Sequence, residues 1–346
     1  MALRIPRAQL LALATASRHL PAKSIAVWRA LGFTNPSILN NTLKRSHSFP
    51  SHHLLSQRSL SEKQLYPGRR AKATRLIHTT PRSSADARSR NSDPNAVAVV
   101  IGASRGIGLA ITQKLVTRWK GRIVATCRDP NEAGALSALW QFMPDRFSVI
   151  QLDVEDETSI QDAAKQVKEW VEESRVDLLL HTAGVLHEGQ NMPETSLSRV
   201  RADWLQKNLT VNLVGPVLVA KHFAPMMTTA RKEGRVPSVW ATFSARVGSI
   251  SDNSLGGWLS YRASKAGQNQ AMKTISIELA RRGVICAALH PGTVATDLSA
   301  PFRKNVKPEK LFAVDDAAGW LLDVIDSLEM EDTGGFFAYD RQPIPF

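Results

Sequence analysis

Tyr261 and Lys265 stand four residues apart in Tyr261-Arg262-Ala263-Ser264-Lys265, a spacing that sets a phenol and an ammonium on one face of a helix. A neighbouring cation favours the phenolate. The spacing therefore predicts a Tyr pKa below its ordinary value of about 10 and a phenol able to exchange its proton at neutral pH. The same spacing also arises where a half-buried aromatic neighbours a solvated amine, so the company the pair keeps has to decide.

About 160 residues upstream, residues 96–111 read AVAVVIGASRGIGLAI. An apolar run of the kind buried in parallel sheets breaks at Gly102 and resumes in helical rhythm after Gly108, which predicts strand, tight turn and helix. Gly102, Gly106 and Gly108 let backbone approach a pyrophosphate at a helix N-terminus, with Ser104, Arg105 and Ile107 as the remaining candidate contacts. The next strand, residues 122–127, is followed by Arg128. An acid there would favour a free ribose hydroxyl. Arg128 and Arg105 instead place two guanidiniums where a 2′-phosphate could be paired, so the expected cofactor is NADP(H).

Taken in order, these motifs resemble the short-chain dehydrogenase/reductase family over about 250 residues, from roughly residue 95 onward. Asp153-Val154 matches its adenine-side Asp-Val, and residues 177–184, DLLLHTAG, match its strand ending in Asn-Asn-Ala-Gly, placing Ala183 and Gly184 beside the cofactor. Asn212 matches its helix Asn, and Tyr261 with Lys265 its YxxxK. Residues 290–298, HPGTVATDL, match its Pro-Gly motif, with Pro291, Gly292 and Val294 at the cofactor and Thr296 at the nicotinamide carboxamide. Within the family, the stretch before and through Tyr261 resembles the branch of C-factor and Sniffer-like carbonyl reductases.

The resemblance implies hydride transfer between a nicotinamide and a small-molecule carbonyl (aldehyde, ketone or quinone), with Tyr261 as proton donor or acceptor. Lys265 would lower the Tyr pKa and hold the nicotinamide ribose, and Asn212 would anchor a water. A non-catalytic NADP-binding signalling or assembly protein on the same fold is the alternative. The departures bear on this choice. Ile101 stands for the family's Thr, and His181-Thr182 for its Asn-Asn. His181 is read as a packing substitution, since the Tyr already supplies the proton. The catalytic Ser is normally the second of a Ser-Ser pair, which is here Ser244-Ala245. Ser244 takes that role only if its strand ends or bulges there, because neighbouring strand residues face opposite ways. Ser249 is the second candidate, and the third reading is that neither acts.

The N-terminal quarter differs in kind. Of 44 basic and 31 acidic residues, 16 and 2 lie at or before Arg90, leaving 28 and 29 for the remainder, so the +13 net charge belongs to the leader. That removes the charge argument for nucleic-acid binding by the rest of the chain. Rich in Arg, Ser and Leu and poor in acids, residues 1–84 are expected to be a largely disordered mitochondrial (matrix) presequence cleaved before Ala85, with a plastid or cytoplasmic location as the alternatives. Residues 85–95 are expected as a linker and 96–346 as the NADP-binding domain.

No run approaches 18 uninterrupted apolar residues, so no membrane span is expected. Cys127 and Cys286 each lie in an apolar run and read as reduced thiols, with no metal site. The alternation from Val97 to a final strand near residues 335–338 predicts an α/β fold: a single Rossmann-type doubly wound parallel sheet with helices on both faces. Helices are expected over 158–173, 202–226 and 261–282, and a basic substrate lid over 299–312. A homo-oligomer paired through the two long helices is permitted by the composition without being demanded.

Overall fold

The computed structural model describes residues 84–171, 175–227 and 236–346. Seven parallel strands form one sheet in the order β3-β2-β1-β4-β5-β6-β9, where β1 is Val97–Ile101, β2 Arg122–Cys127, β3 Phe147–Gln151, β4 Val176–His181, β5 Ser238–Phe243, β6 Val284–His290 and β9 Gly335–Ala338. Every residue of β1, β4 and β5 is buried, as in strands covered on both faces, the polar Asp177, His181, Ser238 and Thr242 included. Two short strands, β7 (Thr293–Val294) and β8 (Leu311–Phe312), pair outside the main sheet. The strand order reverses between β1 and β4, and the crevice of a doubly wound sheet opens at such a point, beyond the strands' carboxyl ends.

The stretch expected as a linker is instead helical. Helix α1, Ala85–Ser92, starts at Ser84, whose hydroxyl accepts from the Ala87 amide at 3.0 Å. Arg90, 3% exposed, turns inward, where its guanidinium meets Asp326 Oδ1 at 3.0 Å and lies 6.0 Å from the Trp119 ring. Asp326 ends a helix over Val314–Asp326, which is also tied to α2 (Gly106–Arg118) through Arg118–Asp323 at 2.7 Å and Lys114–Asp315 at 2.8 Å. Residues 85–92 thus belong to the folded unit by packing and charge. The expected presequence lies outside the described residues, apart from Ser84.

The helix expected over 158–173 spans Glu157–Val171, and residues 172–174 lie outside the described residues. The helix expected over 261–282 spans Leu259–Ala280. Residues Ala202–Met226 are helical throughout but change pitch: α-helix at Ala202–Leu209, a π turn at Thr210–Val214, α-helix again at Gly215–Phe223 and a 3-10 turn at its end. By length and composition alone this run could cross a membrane. Its apolar residues serve another purpose here: Trp204, Val211, Val219, Ala220 and Phe223 belong to the core cluster, and the buried polar side chains of Asn208 and Asn212 lie on the same run. Cys127 and Cys286 are free and buried, and burial raises both thiol pKa values, which keeps them protonated.

Candidate active site

The glycine turn sits at the end of β1. Gly102 has φ +81°, in the left-handed region, and a Cβ there would lie 2.9 Å from Ala183 beyond β4. A Cβ on Gly108 would stand 2.3 Å from the Gly102 carbonyl oxygen and 2.5 Å from Thr182 Oγ1. Only side-chain-free backbone fits here, as a phosphate cradle at the start of α2 requires. Thr182, at the second of the departing strand-end positions, donates its hydroxyl to Ile101 O at 2.8 Å and so ties β4 to the turn. Ser104 and Ile107 are half-buried in the turn and the first turn of α2, and Arg105 and Arg128 are exposed at the ends of β1 and β2. No ion pair holds either guanidinium among the described residues.

The remaining expected cofactor residues converge on the same crevice. Asp153 accepts from the Glu155 amide at 3.0 Å, and a Cβ on Gly215 would meet Val154 O at 2.9 Å, which sets Asp153-Val154 against the pitch change in the 202–226 helix. Pro291 and Gly292 follow β6. Val294 is buried on β7, and Thr296 Cγ2 lies 3.4 Å from where a Cβ on Gly106 would be, so the Pro-Gly segment touches the glycine turn. These positions fit a dinucleotide.

Tyr261 and Lys265 lie in the first two turns of the helix Leu259–Ala280, both buried, with Lys265 Nζ 5.8 Å from the phenol ring centroid. Lys265 Nζ donates to Phe243 O at the end of β5 at 2.8 Å and to Gln268 Oε1 at 2.9 Å. The expected lowering of the Tyr pKa is not what this geometry produces. Burial pushes the Tyr261 phenol above its ordinary value and draws Lys265 down to about 7. Desolvation outweighs an ammonium that is turned toward two other acceptors.

Asn212 occupies the π turn. Its amide clamps Val185 from both sides, accepting from Val185 N at 2.9 Å and donating to Val185 O at 2.8 Å, and it donates to Ser264 Oγ at 3.0 Å. A Cβ on exposed Gly184 would lie 3.2 Å from Asn212 Oδ1 and 3.6 Å from Lys265 Nζ, so the end of β4, the π turn and the lysine meet at one point.

Strand β5 ends at Phe243, making Ser244 the first residue past it. Its amide donates to Leu289 O at 2.8 Å, and its hydroxyl, 4% exposed, has no hydrogen-bond partner among the described residues. Ser249 Oγ is engaged in a local turn, accepting from the Asp252 amide at 3.1 Å. Both ring nitrogens of His181 are buried and have no hydrogen-bond partner among the described residues, and burial first, then the Lys265 charge, lowers its pKa to about 3. Held neutral by that burial, the imidazole packs at the strand end.

Several neighbours of the pair carry no motif that would have announced them. Trp258, immediately before the helix that carries Tyr261, has φ 54°, an outlier for a bulky residue. Its amide donates to Glu194 O at 2.6 Å, and the buried Glu194 carboxylate accepts from Ser260 N at 3.2 Å and from Ser260 Oγ. The indole stands edge-on to Tyr261 at 6.4 Å and packs on Phe302 at 4.9 Å. Phe302 belongs to the expected lid, which forms 3-10 turns at Asp297–Asn305 and Pro308–Lys310 and pairs with β7 through β8. Arg303, one of the lid's cations, points inward to Ser299 Oγ at 3.3 Å and to Thr296 O.

A family model described as short chain dehydrogenase matches residues 96–307. The chain belongs to the short chain dehydrogenase family. An uncharacterized oxidoreductase of Schizosaccharomyces pombe is 32% identical over 266 residues, covering 74% of this chain and 100% of that protein. C-signal of Myxococcus xanthus is 32% identical over 171 residues, or 49% of this chain and 93% of C-signal. Among solved structures, NADPH-bound carbonyl reductase from chicken fatty liver is 29% identical with a TM-score of 0.66, over 75% of this short chain dehydrogenase and 98% of that chain. Carbonyl reductase Sniffer of D. melanogaster, at 24% identity and TM-score 0.65, covers 73% of this chain and 100% of its own, and it shares the fold.

Proposed function

We propose that this oxidoreductase reduces a carbonyl compound, an aldehyde, ketone or quinone, with NADPH. The observation that carries the reading is the buried Tyr261–Lys265 pair, set beside Gly184 and the glycine turn at the carboxyl ends of β1, β4 and β5. When bound, the reduced nicotinamide supplies the hydride. Tyr261 gives its proton to the carbonyl oxygen as the carbon is reduced, leaving an alcohol and a phenolate to be reprotonated from solvent. Lys265, charged, stabilises that phenolate. The unpartnered Ser244 hydroxyl orients the substrate carbonyl, and Asn212 fixes the loop after β4 against which Lys265 sits. Arg105 and Arg128 support NADP(H) over NAD, and the NADPH-bound chicken relative is in accord with it.

The test is NADPH oxidation by protein beginning at Ala85, assayed against a panel of aldehydes, ketones and quinones, with Tyr261→Phe alongside. Turnover that vanishes in the variant supports the reductase. NADPH binding without turnover of any substrate favours the signalling reading, which Ala245 in the family's catalytic Ser position and the similarity to C-signal make the second choice. We also propose residence in the mitochondrial matrix, from the Arg-rich, acid-poor leader. A fluorescent fusion that stays diffuse in the cytoplasm would count against it.

A further inference from the structure

The lysine of the reacting pair has a partner that the mechanism above does not use. Gln268 lies one turn beyond Lys265 on the same helix, 1% exposed. Its Oε1 accepts from Lys265 Nζ at 2.9 Å, while its Nε2 donates to Oγ1 of Thr242, a fully buried residue of β5. The orientation of the amide is dictated from outside: an ammonium can only donate, so the carbonyl oxygen must face it and the amide nitrogen must face the threonine. Among the described residues Gln268 is the only side chain that accepts from Lys265.

We propose that Gln268 is a positioning residue for the reaction, holding Lys265 protonated and fixed beside Tyr261 from a support on β5. This rests on the reading of Tyr261 and Lys265 as the proton-transfer pair. The surroundings of the ammonium explain why one amide matters. From β5 it receives the Phe243 carbonyl, and the Gly248 turn packs on its stem, where a Cβ would lie 2.8 Å from Lys265 Cβ. The loop after β4 brings Gly184, and the π turn brings the neutral Asn212 amide. The titratable groups facing it are Tyr261 on its own helix and His181 at the end of β4, and neither supplies a negative charge at neutral pH. Among the described residues no carboxylate offsets the burial that brings Lys265 down to about 7. The hydrogen bond that the charged Lys265 donates to the buried Gln268 amide oxygen is then a large part of what keeps the charge there.

Lys265 titrates lower in the folded chain than its unfolded value of about 10.4, so between those values the unfolded state binds more protons and stability rises with pH. Removing the acceptor lowers the folded value further and extends that window downward. The experiment measures denaturation midpoints of the full-length chain without nucleotide, from about pH 6 to about pH 9, for wild type, Gln268→Leu, Lys265→Met and the double variant. The expected result is a Gln268→Leu destabilisation that is larger at the acid end and whose pH dependence disappears in the Lys265→Met background. In turnover, the alkaline limb of kcat moves down by about one to two pH units in Gln268→Leu with KM for NADPH unchanged, and moves up in Gln268→Glu. Should the leucine variant not fold, Gln268→Glu carries the same comparison with the opposite sign. A pH-independent loss, or a pH dependence that survives in the Lys265→Met background, overturns the proposal. Coupling in the stability cycle without turnover by the wild type supports the placement of Gln268 and overturns the reductase reading.

Discussion

Replacing Arg90 by alanine tests whether residues 85–92 belong to the folded domain or merely precede it. The guanidinium is 3% exposed, and burial pulls its pKa down against the opposing pull of Asp326, so the charge is desolvated and depends on its partner. Losing one member of a buried pair costs about 3–5 kcal/mol. Here Asp326, with its side chain 14% exposed, keeps a second donor in Asn91 Nδ2 at 3.0 Å, which places the expected loss at the low end, about 3 kcal/mol. For a domain of this size that is roughly a 6–12 °C fall in Tm. Scanning calorimetry of the chain from Ser84 onward reads it. A double variant, Arg90→Met with Asp326→Leu, should recover most of the loss, because an apolar pair of similar volume escapes the desolvation cost. A fall below about 2 °C for Arg90→Ala would refute the reasoning and return residues 85–92 to the status of a linker.

Gly108→Ala puts a methyl 2.3 Å from a backbone carbonyl, so the turn must shift. The variant should lose most of the roughly 2.7 kcal/mol that NADPH at a hundredfold excess over Kd adds to wild-type stability, read as a missing thermal shift. His181 titrates near 3 folded against about 6.5 unfolded, so its contribution is present above pH 6.5 and is lost as pH falls toward 3. His181→Asn should therefore flatten the acid side of the stability profile, by about 2 kcal/mol between pH 6.5 and 5, measured by urea midpoints. An unchanged slope would mean the imidazole is solvated.

The glycine turn, the order of strands and the helix bearing Tyr261 were all readable because each rests on local spacing: apolar runs of strand length, Gly where φ is positive, and a four-residue helical repeat. The electrostatics of the pair were not, since desolvation depends on what other segments cover. Tyr261 and Lys265 are buried by segments far apart in the chain, from Gly184 to Phe243, and that reversed the expected shift of the phenol. Gln268 shares the 3.6-residue face of Lys265, a signal present in the sequence but indistinguishable there from an ordinary exposed polar residue. Trp258 and Glu194 come together from separate loops and leave no spacing to read. Residues 85–92 are a different case. Ser84 as cap, Asp86 in the first turn and Arg90 in the last are a helix signature, and only the basic composition of the preceding segment hid it.

The pitch change at Thr210–Val214 has a bearing on how the chain can vary in length. A π turn holds one residue more than the α-helix around it, and each residue of a helix accounts for about 100° of rotation. Deleting one residue there would draw the run toward α pitch, although Pro216, with no backbone N–H, would still leave a carbonyl one turn earlier without a helical donor, and would swing Asn212 away from Val185 and Ser264. The clamp behind Lys265 would then point elsewhere. A change of length in this segment thus reaches both the core that Val211 and Val219 fill and the clamp that Asn212 makes on Val185, two consequences that stability and turnover measurements separate.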